Sequence, residues 1–168
     1  MSANDVAALE KRLQALEDQI AIYQTVCAYG YGVDGLNYQV VADIYAKDGV
    51  YAVADVSTFK GNDQIAEITK MQGHLDLVHN GIAHTSTLPY VVIDGDRATA
   101  TCHTVILHHG KNGFYVNRVS ASRLELSRKK GGGWEINHRQ NYMLTGDPKG
   151  PAMLARLTEP PQARNAAE

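Results

Sequence analysis

The sequence predicts an α+β fold in which a cone-shaped, curved antiparallel sheet wraps around N-terminal helices. Two observations predict it. Through the first half of the chain apolar residues recur in steps of three and four, the spacing of helices that bury one face. From Ile82 onward the pattern changes to period two and is punctuated by turn-forming clusters, which is how hairpin-linked strands are written. A chain of 168 residues suits one domain of ordinary size. Helices followed by a long meander place the helices against the concave face and leave a pocket at the mouth of the cone.

The first helix is expected from residue 4 to about residue 34. Val6, Leu9, Leu13, Leu16, Ile20, Tyr23 and Cys27 form its apolar seam, and Asn4 is its expected cap. Gly30, Gly32 and Gly35 lower helical propensity and bring the helix to an end close to Asp34. A short second helix is read over residues 37–46, with Val40, Val41, Ile44 and Tyr45 inward. Lys47-Asp48-Gly49 reads as a turn, residues 50–56 as a strand and residues 61–77 as a third helical stretch. Strands are then expected at 82–93, 97–109, 114–127 and 134–143, joined by the glycine-containing turns at 94–96, 110–113 and 129–133. The domain is taken as residues 1–146, and residues 147–168, rich in Pro and Ala, as a loosely docked or disordered tail.

Composition removes several classes of function. With 16 basic and 18 acidic residues spread along the chain, no basic footprint for nucleic acid exists. The polar start, Met1-Ser2-Ala3-Asn4-Asp5, lacks the pattern of a secretory signal, and no apolar run approaches the roughly 20 residues needed to span a bilayer. A cytoplasmic protein with neither nucleic-acid nor membrane partners is expected. Cys27 and Cys102 lie far apart in apolar company and read as reduced, buried thiols. Seven histidines lack the spacing of a metal site, so no metal is expected.

Two residues stand at the expected mouth of the cone. Asp34 closes the first helix and His84 opens a strand. A carboxylate bonded to one imidazole nitrogen fixes the tautomer and leaves the other nitrogen as a general base. Taken singly, His84 reads as readily as a structural histidine, and Asp34-Gly35 as turn chemistry.

The segment Tyr29-Gly30-Tyr31-Gly32-Val33-Asp34-Gly35, after a charged helix containing Leu9-Glu10-Lys11-Arg12-Leu13, resembles the scytalone-dehydratase-like (SnoaL-like) group of the nuclear transport factor 2-like superfamily, with its cystatin-like α+β barrel. Among its members the segment is most similar to bile-acid 7α-dehydratase. In that family the aspartate of this segment pairs with a histidine some fifty residues on, which stands ten residues before an aspartate in a turn; His84 and Asp94 fit. The resemblance implies a cofactor-free lyase of the dehydratase type acting on a hydroxylated, mostly apolar ring compound through an Asp34–His84 dyad. Tyr29 would bind the substrate's oxygen, although it reads equally as a core tyrosine.

His108 falls at a second pocket histidine of scytalone dehydratase, whereas His103, on the opposite face, reads as structural or exposed. Ser122, expected opposite His108, would add a weaker hydrogen bond or simply permit sheet curvature. A first-strand tyrosine of the family has Ala54 in its place, and Tyr51 would serve only if the strand is bulged. An isomerase, a polyketide cyclase or a non-catalytic small-molecule binder are the alternatives. The resemblance also implies a homo-oligomer, a trimer or otherwise a dimer, through the outer face of the sheet.

Overall fold

The computed structural model describes residues 2–161. Helix α1 spans Ala3–Asp34 and starts from a capping box. Ser2 Oγ accepts from the Asp5 amide at 3.3 Å, while the Asp5 carboxylate accepts from the Ser2 amide at 2.8 Å. The cap is therefore Ser2 and not Asn4. The box needs an acid three residues after the cap, which Ser2 has in Asp5 and Asn4 lacks.

The buried stripe of α1 also differs from the expected seam. Ile22, Val26, Tyr29 and Val33 are buried, Tyr23 and Cys27 are half-buried, and Leu9, Leu13, Leu16 and Ile20 are exposed. Steps averaging 3.5 residues drift around a helix that turns every 3.6, so the seam leaves the core face. Its first half extends beyond the sheet. Gly30 and Gly32 sit where α1 is crossed closely. A Cβ on Gly30 would lie 2.4 Å from the carbonyl oxygen of His84, and one on Gly32 would lie 2.8 Å from a methyl of Val41. These glycines admit neighbours; they do not end the helix.

Helix α2 (Tyr38–Ile44), capped by Asn37, runs directly into β1 (Tyr45–Val53). The expected turn at Lys47-Asp48-Gly49 is instead a bulge inside β1, where pairing with the last strand jumps from Tyr45 to Val50. Ala54, at φ 48°, begins the turn into a short strand, β2 (Ser57–Lys60), that the sequence reading missed. The third helical stretch is broken in three: α3 (Asn62–Ala66), a 3-10 turn (Glu67–Lys70) and α4 (Gln72–Asn80). The expected strand over 82–93 is likewise two, β3 (Ile82–Ser86) and β4 (Tyr90–Asp94). Pro89, which cannot donate to a ladder, lies in the break.

The remaining strands follow expectation: β5 (Arg97–Gly110), β6 (Gly113–Arg128) and β7 (Trp134–Met143). The sheet order is β2-β1-β7-β6-β5-β3, with β4 also on β5, and β1 pairs with β7 in parallel. This is a mixed α+β architecture with a curved, unclosed sheet. Its core lies between α1 and the sheet, where Ile22, Val33, Val41, Ile65, Leu124 and Ile136 are all but inaccessible. Each such side chain contributes roughly 1.5–3 kcal/mol of burial.

Asp18 pins α1 to the sheet. It accepts two bonds from Arg128 (2.6 and 2.8 Å) and one from the indole of Trp134 (3.2 Å). Where a loosely docked or disordered tail was expected after residue 146, Lys149–Ala155 instead form α5, with Met153 buried. Arg123 donates to the carbonyls of Arg156 (3.0 Å) and Glu159 (3.1 Å). The rest of the C-terminal segment, residues 162–168, lies outside the described residues.

Candidate active site

Asp34 is the last residue of α1 and His84 the third of β3, and Gly30 lets the two elements touch. The Asp34 carboxylate accepts twice from His84. Oδ2 is 2.7 Å from the backbone nitrogen and Oδ1 is 2.6 Å from Nδ1. An ionised carboxylate only accepts, so Nδ1 carries the proton and the neutral ring holds its lone pair on Nε2. The backbone bond fixes the strand and the ring bond fixes the imidazole, both through one group.

His84 borders a cavity of about 240 Å³ between α1 and the sheet, together with Tyr29, Tyr51, Ile106, Arg139 and Asn141. Tyr29 meets the ring of Tyr51 edge-on at 5.4 Å and that of His84 at 6.5 Å. Burial, reinforced by the neighbouring phenols of Tyr51 and Tyr45, holds the Tyr29 phenol well above its ordinary pKa; Arg139 opposes this only in part. Burial raises Tyr45 in the same way. Both remain neutral hydroxyls, donors and not phenolates. The Tyr45 hydroxyl is buried with no hydrogen-bond partner.

Arg139 is the residue that sequence reasoning missed. The residue is 6% exposed; its guanidinium stacks on Tyr29 at 4.3 Å and on Tyr51 at 4.9 Å, and donates from Nε to Asn141 Oδ1 at 3.3 Å. Burial works against its charge, but the phenols of Tyr51, Tyr45 and Tyr29 outweigh burial and hold it above the ordinary arginine range. It stays cationic with no carboxylate partner among the described residues. A β-bulge hides it from period-two counting. Leu126 faces Ile136 but Leu124 faces Arg139, so β7 carries one extra residue between them and the inward set shifts to Arg139 and Asn141.

Tyr51 corrects a second expectation. The bulge in β1 turns it into the cavity, buried, where its hydroxyl accepts from Asn141 Nδ2 at 3.2 Å. Tyr51, and not Ala54, thus borders the cavity. Ser122 does not line the cavity and does not face His108. It pairs with Cys102, is fully buried, and joins Thr104 (3.0 Å) to the Asn141 side chain (2.7 Å). His108 pairs with Tyr115 and borders a second hollow of about 270 Å³ that shares His84 and Tyr51 with the first. His103 is exposed.

His74 was also unread. Its Nε2 lies 2.8 Å from the Val33 carbonyl, which can only accept, so that nitrogen is protonated and ties α4 to the end of α1. Cys27 and Cys102 are free thiols, and burial pushes Cys102 up to about 11, far from a thiolate nucleophile. Among the described residues no three His, Cys, Asp or Glu side chains are grouped to hold a metal ion. No helix among them is long and apolar enough to cross a membrane.

A curved, unclosed sheet holding helices over a cavity, with a carboxylate-bound imidazole in its wall, defines the nuclear transport factor 2-like, cystatin-like class. A nuclear transport factor 2-like protein with a cystatin-like fold from Novosphingobium aromaticivorans is 33% identical, covering 91% of this chain and 99% of its own at a TM-score of 0.86. Residues 14–140 match the SnoaL-like domain, and the chain belongs to that family, whose members include isomerases, hydratases and cyclases.

Two further structures share the fold alone. A function-unknown protein from Mycobacterium tuberculosis is 19% identical, with 82% of this chain and 90% of that one covered at a TM-score of 0.66. A ketosteroid isomerase-like protein from Erwinia carotovora is 16% identical, with 77% and 98% covered at 0.56. No curated protein matches the chain. The particular likeness to bile-acid 7α-dehydratase has no counterpart among these matches.

Proposed function

We propose that this protein is a cofactor-free general acid–base lyase of the dehydratase type, acting on a hydroxylated, mostly apolar cyclic compound such as a steroid, polyketide or aromatic-like ring. The observation that carries the reading is the Asp34–His84 contact in the wall of a cavity. His84 Nε2 takes a proton from the carbon beside an activated carbon. The C–H electron pair becomes the new double bond as the C–O bond breaks, and the imidazolium returns the proton to the departing hydroxide, giving water. Asp34 steadies the imidazolium. The hydroxyls of Tyr29 and Tyr51 orient the substrate's oxygen, and Arg139 stabilises negative charge developing on it. His108 contacts the far end of the substrate in the second hollow.

General acid–base help supplies about 10²- to 10⁴-fold, and the remainder comes from positioning and fixed charge in a cavity poor in water. An isomerase or cyclase would use the same base, and a binder would use none. The reading includes a cytoplasmic location and a homo-oligomer, a trimer or otherwise a dimer. The exposed Leu13, Leu16 and Ile20 of α1 support assembly. The test incubates the protein with hydroxylated steroids and naphthol-type polyketides and follows mass. Loss of water supports the lyase, an isomeric product of unchanged mass the isomerase, and binding without turnover the binder.

A further inference from the structure

The cavity holds a second arginine that the mechanism does not use. Alternation along Leu124, Ser122, Ser120 and Arg118 brings Arg118 onto the inward face of β6, opposite Ile106. At the next step Leu107 faces Val116, so β6 bulges at Asn117. Arg118 is half-buried and borders both hollows. No carboxylate among the described residues pairs with it.

The charge around the two hollows is therefore unbalanced. Arg139 and Arg118 face a single bordering carboxylate, that of Asp34, which is already committed to His84. A concave lining of one sign focuses its field, and a buried cation without an anionic partner, as Arg139 is, is costly. An anion supplied from outside would reduce the imbalance. A guanidinium matches the planar fork of a carboxylate, which makes that group the natural complement.

We infer that the substrate is a ring acid: its carboxylate binds Arg118, which borders both hollows, and its ring lies against the apolar wall formed by Ile106, Tyr51 and Phe59. This rests on the lyase reading for the position of the ring beside His84. Carboxylate capture itself requires no turnover, so the two can fail separately. Arg118 is then the residue that sets specificity, and Arg139 remains free for charge that develops at the reacting oxygen.

The test compares 1-naphthoate with its near-isosteric neutral amide, 1-naphthamide, by calorimetry on the full chain. The parent is expected to prefer naphthoate by at least tenfold, the scale of one charge-assisted hydrogen bond. Arg118→Gln should lose that preference while binding the amide as before, and Arg118→Lys should restore part of it. His84→Ala, which abolishes turnover on the lyase reading, should keep the preference intact. Equal affinity of the parent for acid and amide, no binding of naphthoate at millimolar concentration, or an undiminished preference in Arg118→Gln would each overturn the inference. Turnover of neutral rings alone would overturn it too and leave the lyase reading standing.

Discussion

Asp34 holds His84 at two points, the backbone nitrogen at 2.7 Å and ring Nδ1 at 2.6 Å, across fifty residues of sequence. One carboxylate therefore sets both where the strand begins and which ring nitrogen is left as a base. Removing the imidazole and changing the carboxylate should have different consequences.

His84→Ala should lower kcat on any substrate of the parent by about 10²- to 10⁴-fold and leave substrate binding within a few-fold. Asp34→Asn replaces an acceptor pair with one acceptor and one donor, so Nδ1 either loses its bond or accepts from the amide, which moves the ring proton to Nε2 and removes the base. It should lose activity to a similar degree and also lower the melting temperature. Steady-state kinetics beside thermal unfolding separates the two effects; an Asp34→Asn protein as active as the parent would remove Asp34 from the machinery.

Arg139→Gln should reduce kcat by about 10²- to 10³-fold, the range for deleting one charge-stabilising donor. Tyr29→Phe keeps the packing against Tyr51 and Tyr45 and should fold normally, so a fall in kcat there reports the hydroxyl alone. If Tyr29→Phe turns over at the parental rate, Tyr29 is a core residue and nothing more.

Gly30→Ala introduces a methyl 2.4 Å from the His84 carbonyl oxygen, a backbone atom that cannot swing aside. Separating α1 from β3 should cost about 1–3 kcal/mol and misplace the imidazole. Denaturant unfolding and kcat should fall together, whereas Gly73→Ala, where nothing lies within 4 Å, should change neither.

The Asp18–Arg128 pair predicts an acid limb of stability. The hydrogen bonds from Arg128 hold the Asp18 carboxyl below its ordinary value of 3.8, despite burial, with help from Trp134. A carboxyl with a depressed folded pKa stabilises fully above its unfolded value and loses that contribution as pH falls through the folded one. Asp18→Asn should thus be less stable than the parent at pH 7, and the gap in melting temperature should close below about pH 4. A gap that stays constant down to pH 2 would mean that packing, not charge, holds α1 there.

Much of the site was readable before any coordinates. The α+β order, the three long strands β5, β6 and β7, and the candidate pair Asp34 and His84 follow from periodicity, turn residues and a family motif. These are local or short-range signals. Tyr51, Arg139 and Asn141 escaped for one cause: a bulge adds a residue to one strand only, and every later side chain changes face. The bulge in β1 turned Tyr51 inward, and the one in β7 brought Arg139 and Asn141 to the cavity.

The sequence by itself determined the long first helix and the strands β5, β6 and β7, and marked a carboxylate and an imidazole as worth pairing. Only the tertiary structure decided which residues share the cavity with them. Face and register depend on the partner strand's count as well as on the strand's own, and no single segment contains that information.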